Sequence, residues 1–204
     1  MEIIRYGDTS AGRVLIQLTE EHELEYLEVE SARIGETADD FCLAAVKVDD
    51  WNQDLSPWQA PAVFGNEDFG NGAAKTLETV LDICSDSSKK YYIGGYSLAG
   101  LFSLWAVYQT DVFSGVAAAS PSMWFPGFID YMKEHEIKTD KVYLSLGNKE
   151  EKTRNPVMAT VGNRIREAEM LLKEQGTDCI LEWNQGNHFR DPDIRTARAF
   201  SWLI

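Results

Sequence analysis

The stretch YYIGGYSLAGLFSLWAVY, residues 91 to 108, changes its period in the middle. From Tyr91 to Tyr96 it is aromatic and β-branched around two glycines, the composition of a strand; after Ser97 the apolar residues recur at helical spacing. Ser97 stands at the change, with Gly95 two residues before it and Ala99 two residues after. A strand that turns abruptly into a helix around a serine has the form of a nucleophile elbow, in which a strained turn lifts the hydroxyl out and small neighbours let the helix pack back on the strand. Alanine stands where a second glycine is more usual. A serine between small residues also ends strands and caps helices, so the neighbouring elements have to decide.

Outward from the elbow, short apolar runs recur as RVLIQL, FCLAAVKV, YYIGGYS, SGVAAAS, KVYLSLG and CILEWNQ. Between them lie helical spacings such as Ala73, Leu77, Val80, Leu81 and Cys84. This alternation predicts an α/β fold of about six mostly parallel strands with helices on both faces. The chain of 204 residues, 44% hydrophobic, is read as one domain, 1–204, with no internal repeat or linker. The closing RTARAFSWLI reads as a last amphipathic helix. The segment 49–72 has no period, holds proline turns and several glycines, and is far longer than an ordinary connection of about 2 to 6 residues, which suggests a functional loop.

Ligands of open parallel sheets bind beyond the carboxyl ends of the strands. The residues that follow each strand are therefore the ones that bear chemistry. A serine hydroxyl needs a base to take its proton, and the base needs an acid to orient it. The chain has three histidines. His22 and His135 lie in charged, helix-like stretches and read as surface residues, whereas His188 follows the last strand in EWNQGNHFRDP. After KVYLSLG come Glu150, the preferred acid, and Glu151, the second choice; either also suits the first turn of a following helix. The order serine, acid, histidine is that of an α/β-hydrolase. An oxyanion needs two N–H donors; Leu98, after the nucleophile, and Trp51, after an earlier strand, are placed to supply them.

A formal charge of −14 opposes nucleic acid or an anionic membrane as partner. No run approaches the ~20 apolar residues of a membrane span, and the start has no basic-then-apolar leader. The three cysteines, Cys42, Cys84 and Cys179, are dispersed and odd in number, which reads as buried, reduced thiols rather than disulfides or a zinc site. A soluble, cytoplasmic protein is expected.

Together DDWNQDLSPWQAPAVFGNEDFGNG, GGYSLAGLFSLWA, SPSMW, LSLGNKEEKT and GNHF resemble the esterase branch of the α/β-hydrolases that includes enterobactin-type siderophore esterases, S-formylglutathione hydrolases and feruloyl esterases. The resemblance runs over nearly the whole chain. It implies a serine hydrolase of a small-molecule ester, with neither cofactor nor metal. Carried over residue by residue, it makes Ser97 the nucleophile, His188 the base and Glu150 the acid, with Trp51 and Leu98 at the oxyanion hole and Tyr96, Trp58 and Trp124 lining the substrate pocket. Relative to larger members, the chain is expected to begin near the first parallel strand, without leading antiparallel strands, and to have no lid domain. Thioesterase, amide hydrolase or acyltransferase activity would use the same residues, and a binding module without turnover would keep the fold. A nucleotide-binding reading fails because no phosphate loop follows the first strand.

Overall fold

The computed structural model describes residues 1–204. Strands β1 (Glu2–Gly7), β2 (Arg13–Thr19), β3 (Cys42–Lys47), β4 (Lys90–Tyr96), β5 (Phe113–Ala119), β6 (Lys141–Gly147) and β7 (Asp178–Asn184) form one sheet in the order β1-β3-β2-β4-β5-β6-β7. From β2 to β7 all pairings are parallel. The six expected strands all form.

A seventh strand corrects the expectation that the chain lacks a leading antiparallel strand. β1 runs antiparallel along β3, with Glu2 opposite Lys47 and Gly7 opposite Cys42. It lies at the sheet edge and has no fully buried residue, so its sequence carries little of the apolar signal that marks the inner strands.

Helices α1 (Leu27–Gly35), α2 (Trp51–Asp54), α3 (Ala73–Ile83), α4 (Leu98–Gln109), α5 (Phe128–Glu134), α6 (Val161–Glu174) and α7 (Pro192–Leu203) complete the fold. Because side chains alternate along a strand, β2 sends Val14, Ile16 and Leu18 into the core shared with α3, α4, α5 and α6. Its Leu15 joins the smaller core under α1 and α7. Every residue of α4 from Leu98 to Tyr108 is buried, as a helix apolar on all sides requires. No helix is long and apolar enough to cross a membrane.

The strand order reverses direction between β2 and β4, so the carboxyl end of β4 opens at a switch point of the sheet. There the backbone must turn from β4 into α4 within one residue, Ser97. Gly95 makes this possible, since a Cβ on it would stand 2.6 Å from the Cβ of Ala99. With alanine at 99, position 95 has to be glycine.

Candidate active site

Ser97 takes φ 57° and ψ −120°, a conformation that side chains other than glycine rarely adopt. Neighbouring backbone holds it there: its N–H donates to the Ala119 carbonyl at 3.1 Å, and its own carbonyl accepts from Ser122 N–H at 3.0 Å and Leu101 N–H at 3.1 Å. The turn presents Oγ beyond the sheet, 3.0 Å from Nε2 of His188.

His188 arrives on the loop after β7, which bends at Gly186 with φ 106°, where a side chain would also strike Arg190. That loop is bonded to the turn after β6: Asn148 N–H donates to Asn184 O at 2.8 Å, Lys149 N–H to Gly186 O at 3.0 Å, and Gly186 N–H to Asn148 Oδ1 at 3.1 Å. The turn carries Glu150, whose Oε2 lies 2.7 Å from His188 Nδ1. A carboxylate only accepts, so Nδ1 bears the proton and Nε2 offers its lone pair to the serine.

The side chain of Glu150 is 5% exposed, against 27% for His188. Its other oxygen, Oε1, accepts from Gly147 N–H at 2.7 Å, Ser120 Oγ at 2.8 Å and Arg195 Nη1 at 3.0 Å. Burial by itself would raise this carboxyl, but the hydrogen bond and charge of His188, the Gly147 N–H and the Ser120 hydroxyl together hold it below its ordinary 4.5. Glu151 points elsewhere, over Gly162 and toward Arg166 at 3.4 Å. The two other histidines sit outside the site: His22 pairs with Glu20 on the surface, and His135 stacks on Tyr131.

A cavity of about 310 Å³ opens over Ser97 and His188, walled by Phe64, Pro121, Trp124, Met158, Val161 and Phe189. Phe189 is 86% exposed at its mouth. Of the three aromatics singled out for the substrate pocket, Trp124 stands in the cavity wall and Trp58 and Tyr96 stand outside it. Trp58 turns away onto α5, its Nε1–H donating to Pro126 O at 2.9 Å and its ring packing on Phe125, Phe128 and Tyr131. Six residues further along the same loop, Phe64 takes the wall position. Tyr96 is buried beside the loop of His188, donating from its hydroxyl to the His188 carbonyl at 2.7 Å.

Leu98 and Trp51 each head a helix at the carboxyl end of a parallel strand, α4 after β4 and α2 after β3. The first N–H groups of a helix have no partner within it. The ring of Trp51 packs on the main core and does not line the cavity.

The sequence places Ser120 and Ser122 in a segment that follows a strand but assigns them no role, and it does not mark Arg195 at all. Ser122 Oγ lies 3.4 Å from Ser97 Oγ, and Ser120 is a second serine at positive φ, 42°. Position within SPSMW, directly after a strand, was the signal available for both. Arg195 sits on the last helix, where an arginine ordinarily reads as a solvated residue, and nothing in the pattern marks it as turned inward.

No family model matches the chain, and no curated protein matches it. Among solved structures, it is similar to an IroE-like serine hydrolase from Shewanella oneidensis, with 14% identity and a TM-score of 0.78 over 98% of this chain and 74% of that one. It is also similar to the enterobactin esterase from Shigella flexneri, with 12% identity and a TM-score of 0.65 over 98% of this chain. The chain spans 54% of that esterase's length. An acyl-protein thioesterase from Zea mays overlays at 10% identity with a TM-score of 0.62, over 99% of this chain and 98% of that one. These likenesses show that the chain has the α/β-hydrolase fold.

Proposed function

We propose that this protein is a serine hydrolase that cleaves a carboxylic ester of an apolar acyl group through an acyl-enzyme. One observation carries the reading: the relay from Ser97 Oγ to His188 Nε2 at 3.0 Å, and from His188 Nδ1 to Glu150 Oε2 at 2.7 Å. Ser97 attacks the ester carbonyl as His188 takes its proton, and Glu150 stabilises the imidazolium that forms. The tetrahedral oxyanion is met by the N–H groups of Leu98 and Trp51. Its collapse breaks the C–O bond, and His188 returns the proton to the departing alcohol. Water, activated by the same histidine, then attacks the acyl-serine and releases the acid.

The cavity walls favour an uncharged acyl group, since the one ionised wall group, Glu150, already has its oxygens engaged. A thioester is the second reading. It is supported by the end-to-end overlay with a protein described as an acyl-protein thioesterase, because the same relay serves a sulfur leaving group. The free thiols of Cys42, Cys84 and Cys179 suit a reducing cytoplasm.

The test is hydrolysis of p-nitrophenyl esters and phenyl thioesters graded from acetyl to octanoyl. kcat/KM should climb with acyl length by about fourfold per methylene, from roughly 0.8 kcal/mol of burial, until the cavity of about 310 Å³ is filled. Ser97→Ala and His188→Ala should abolish turnover. Glu150→Gln should cost about 10²- to 10⁴-fold in kcat, and Glu151→Gln should leave it unchanged. Hydrolysis that survives Ser97→Ala would remove the reading.

A further inference from the structure

We propose that Arg195 is the positioning residue that holds the acid and the base of the site in register. Its role presupposes the Ser97, His188 and Glu150 relay proposed above. The Arg195 side chain is 2% exposed, and its two terminal nitrogens reach both halves of the relay. Nη1 donates to Glu150 Oε1 at 3.0 Å, to Ser120 Oγ at 3.1 Å and to Tyr96 Oη at 3.0 Å. Nη2 donates to the carbonyls of Gln185 at 3.2 Å and Asn187 at 3.1 Å, in the loop that carries His188.

Two of these contacts are passed onward. Ser120 accepts from the guanidinium and donates to Glu150 Oε1 at 2.8 Å; Tyr96 accepts from it and donates to His188 O at 2.7 Å. One planar group therefore fixes the carboxylate and the peptide segment that presents the imidazole. Because Arg195, Ser120 and the Gly147 N–H occupy Oε1, only Oε2 remains to face Nδ1. The rigid fork of an arginine suits this task, whereas the single ammonium of a lysine cannot span both sides.

The charge acts as well as the geometry. The titratable and charged groups that meet here are Glu150 from the turn after β6, His188 from the loop after β7, Tyr96 from the end of β4 and Arg195 from α7; the residue after β5 is the neutral Ser120. Tyr96, pushed up to about 12 mainly by burial, stays neutral. A buried cation 3.0 Å from Glu150 Oε1 makes it harder for the carboxyl to gain a proton. Removing the cation should move the loss of activity on the acid side to higher pH, an effect that a purely structural residue would not produce.

The experiment compares kcat, KM and the pH profile of ester hydrolysis for wild type, Arg195→Gln, Arg195→Lys and, as control, Arg198→Gln, whose side chain pairs with Glu182 and Asn184 on the surface. Arg195→Gln is expected to lose on the order of 10²-fold in kcat, with KM within threefold and the acid limb at higher pH. Arg195→Lys should keep the wild-type acid limb while losing kcat. Arg198→Gln should match wild type. A folded Arg195→Gln with wild-type kcat and acid limb overturns the assignment. If that variant does not fold, Tyr96→Phe decides, because it leaves the guanidinium in place and cuts the bond to the His188 carbonyl: a severalfold fall in kcat at constant KM supports the role, and an unchanged kcat overturns it. A wild type that hydrolyses no ester would instead remove the function proposed for Ser97.

Discussion

Two buried glutamates give this protein opposite responses to acid. Glu150 is held below its ordinary 4.5, so it contributes stability that is present above that value and lost as pH falls through its folded pKa. Glu30, a buried residue of α1, meets only the side-chain amide of Gln17 at 3.2 Å, and burial drives its carboxyl well above 4.5. In the folded state it keeps a proton that the unfolded chain releases, so its contribution falls as pH rises from 4.5 toward neutrality. Glu30 Oε1 and Gln17 Oε1 are both buried without a partner, and a proton on the carboxyl gives it a donor in addition to its acceptors. Glu30→Gln should therefore raise the urea midpoint at pH 7 and have less effect near pH 4.5, whereas Glu150→Gln should flatten the loss of stability below 4.5. Equal shifts for Glu30→Gln at both pH values would show that its protonation does not limit stability.

At the scale of elements, the elbow depends on close approach of strand and helix. A methyl on Gly95 would stand 2.6 Å from the Ala99 Cβ and 3.1 Å from its carbonyl carbon. Gly95→Ala should cost about 1–3 kcal/mol by overpacking, read from the denaturant midpoint, and Ala99→Gly added to it should recover part of that loss. Additive losses would mean that the two positions do not press on each other. This element was legible in the sequence because the change of period, the small neighbours and the following helix are all local features. The inner strands β2 to β6 were legible because they are buried on both faces, and β7, at the other edge, because CILEWNQ keeps a local apolar run. β1 was not, since an edge strand buries little, and neither was the division of labour in the loop 49–72. That loop has equal aromatic content at Trp58 and Phe64, but tertiary packing sends the first onto α5 and the second to the cavity wall. The preference for Glu150 over Glu151 came from spacing after Gly147, and the turn that brings Glu150 to Nδ1 depends on bonds to a loop nearly forty residues away. Arg195 was beyond reach because its inward direction depends on partners from β4, the loop after β5, the turn after β6 and the loop after β7.

For the whole molecule, the sheet gathers residues spread over more than ninety positions of sequence at one edge, with Ser97, Glu150 and His188 following three different strands. The larger core, under α3, α4, α5 and α6, anchors the elbow, while the smaller one secures α7 and with it Arg195. The role proposed for Ser97 is that of a nucleophile activated by this scaffold. Its most direct test is the intact mass of the folded protein after treatment with a small fluorophosphonate. A single adduct is expected on the wild type, lost in Ser97→Ala and in His188→Ala; a folded wild type that takes up no label, or an adduct that persists in Ser97→Ala, would rule that role out.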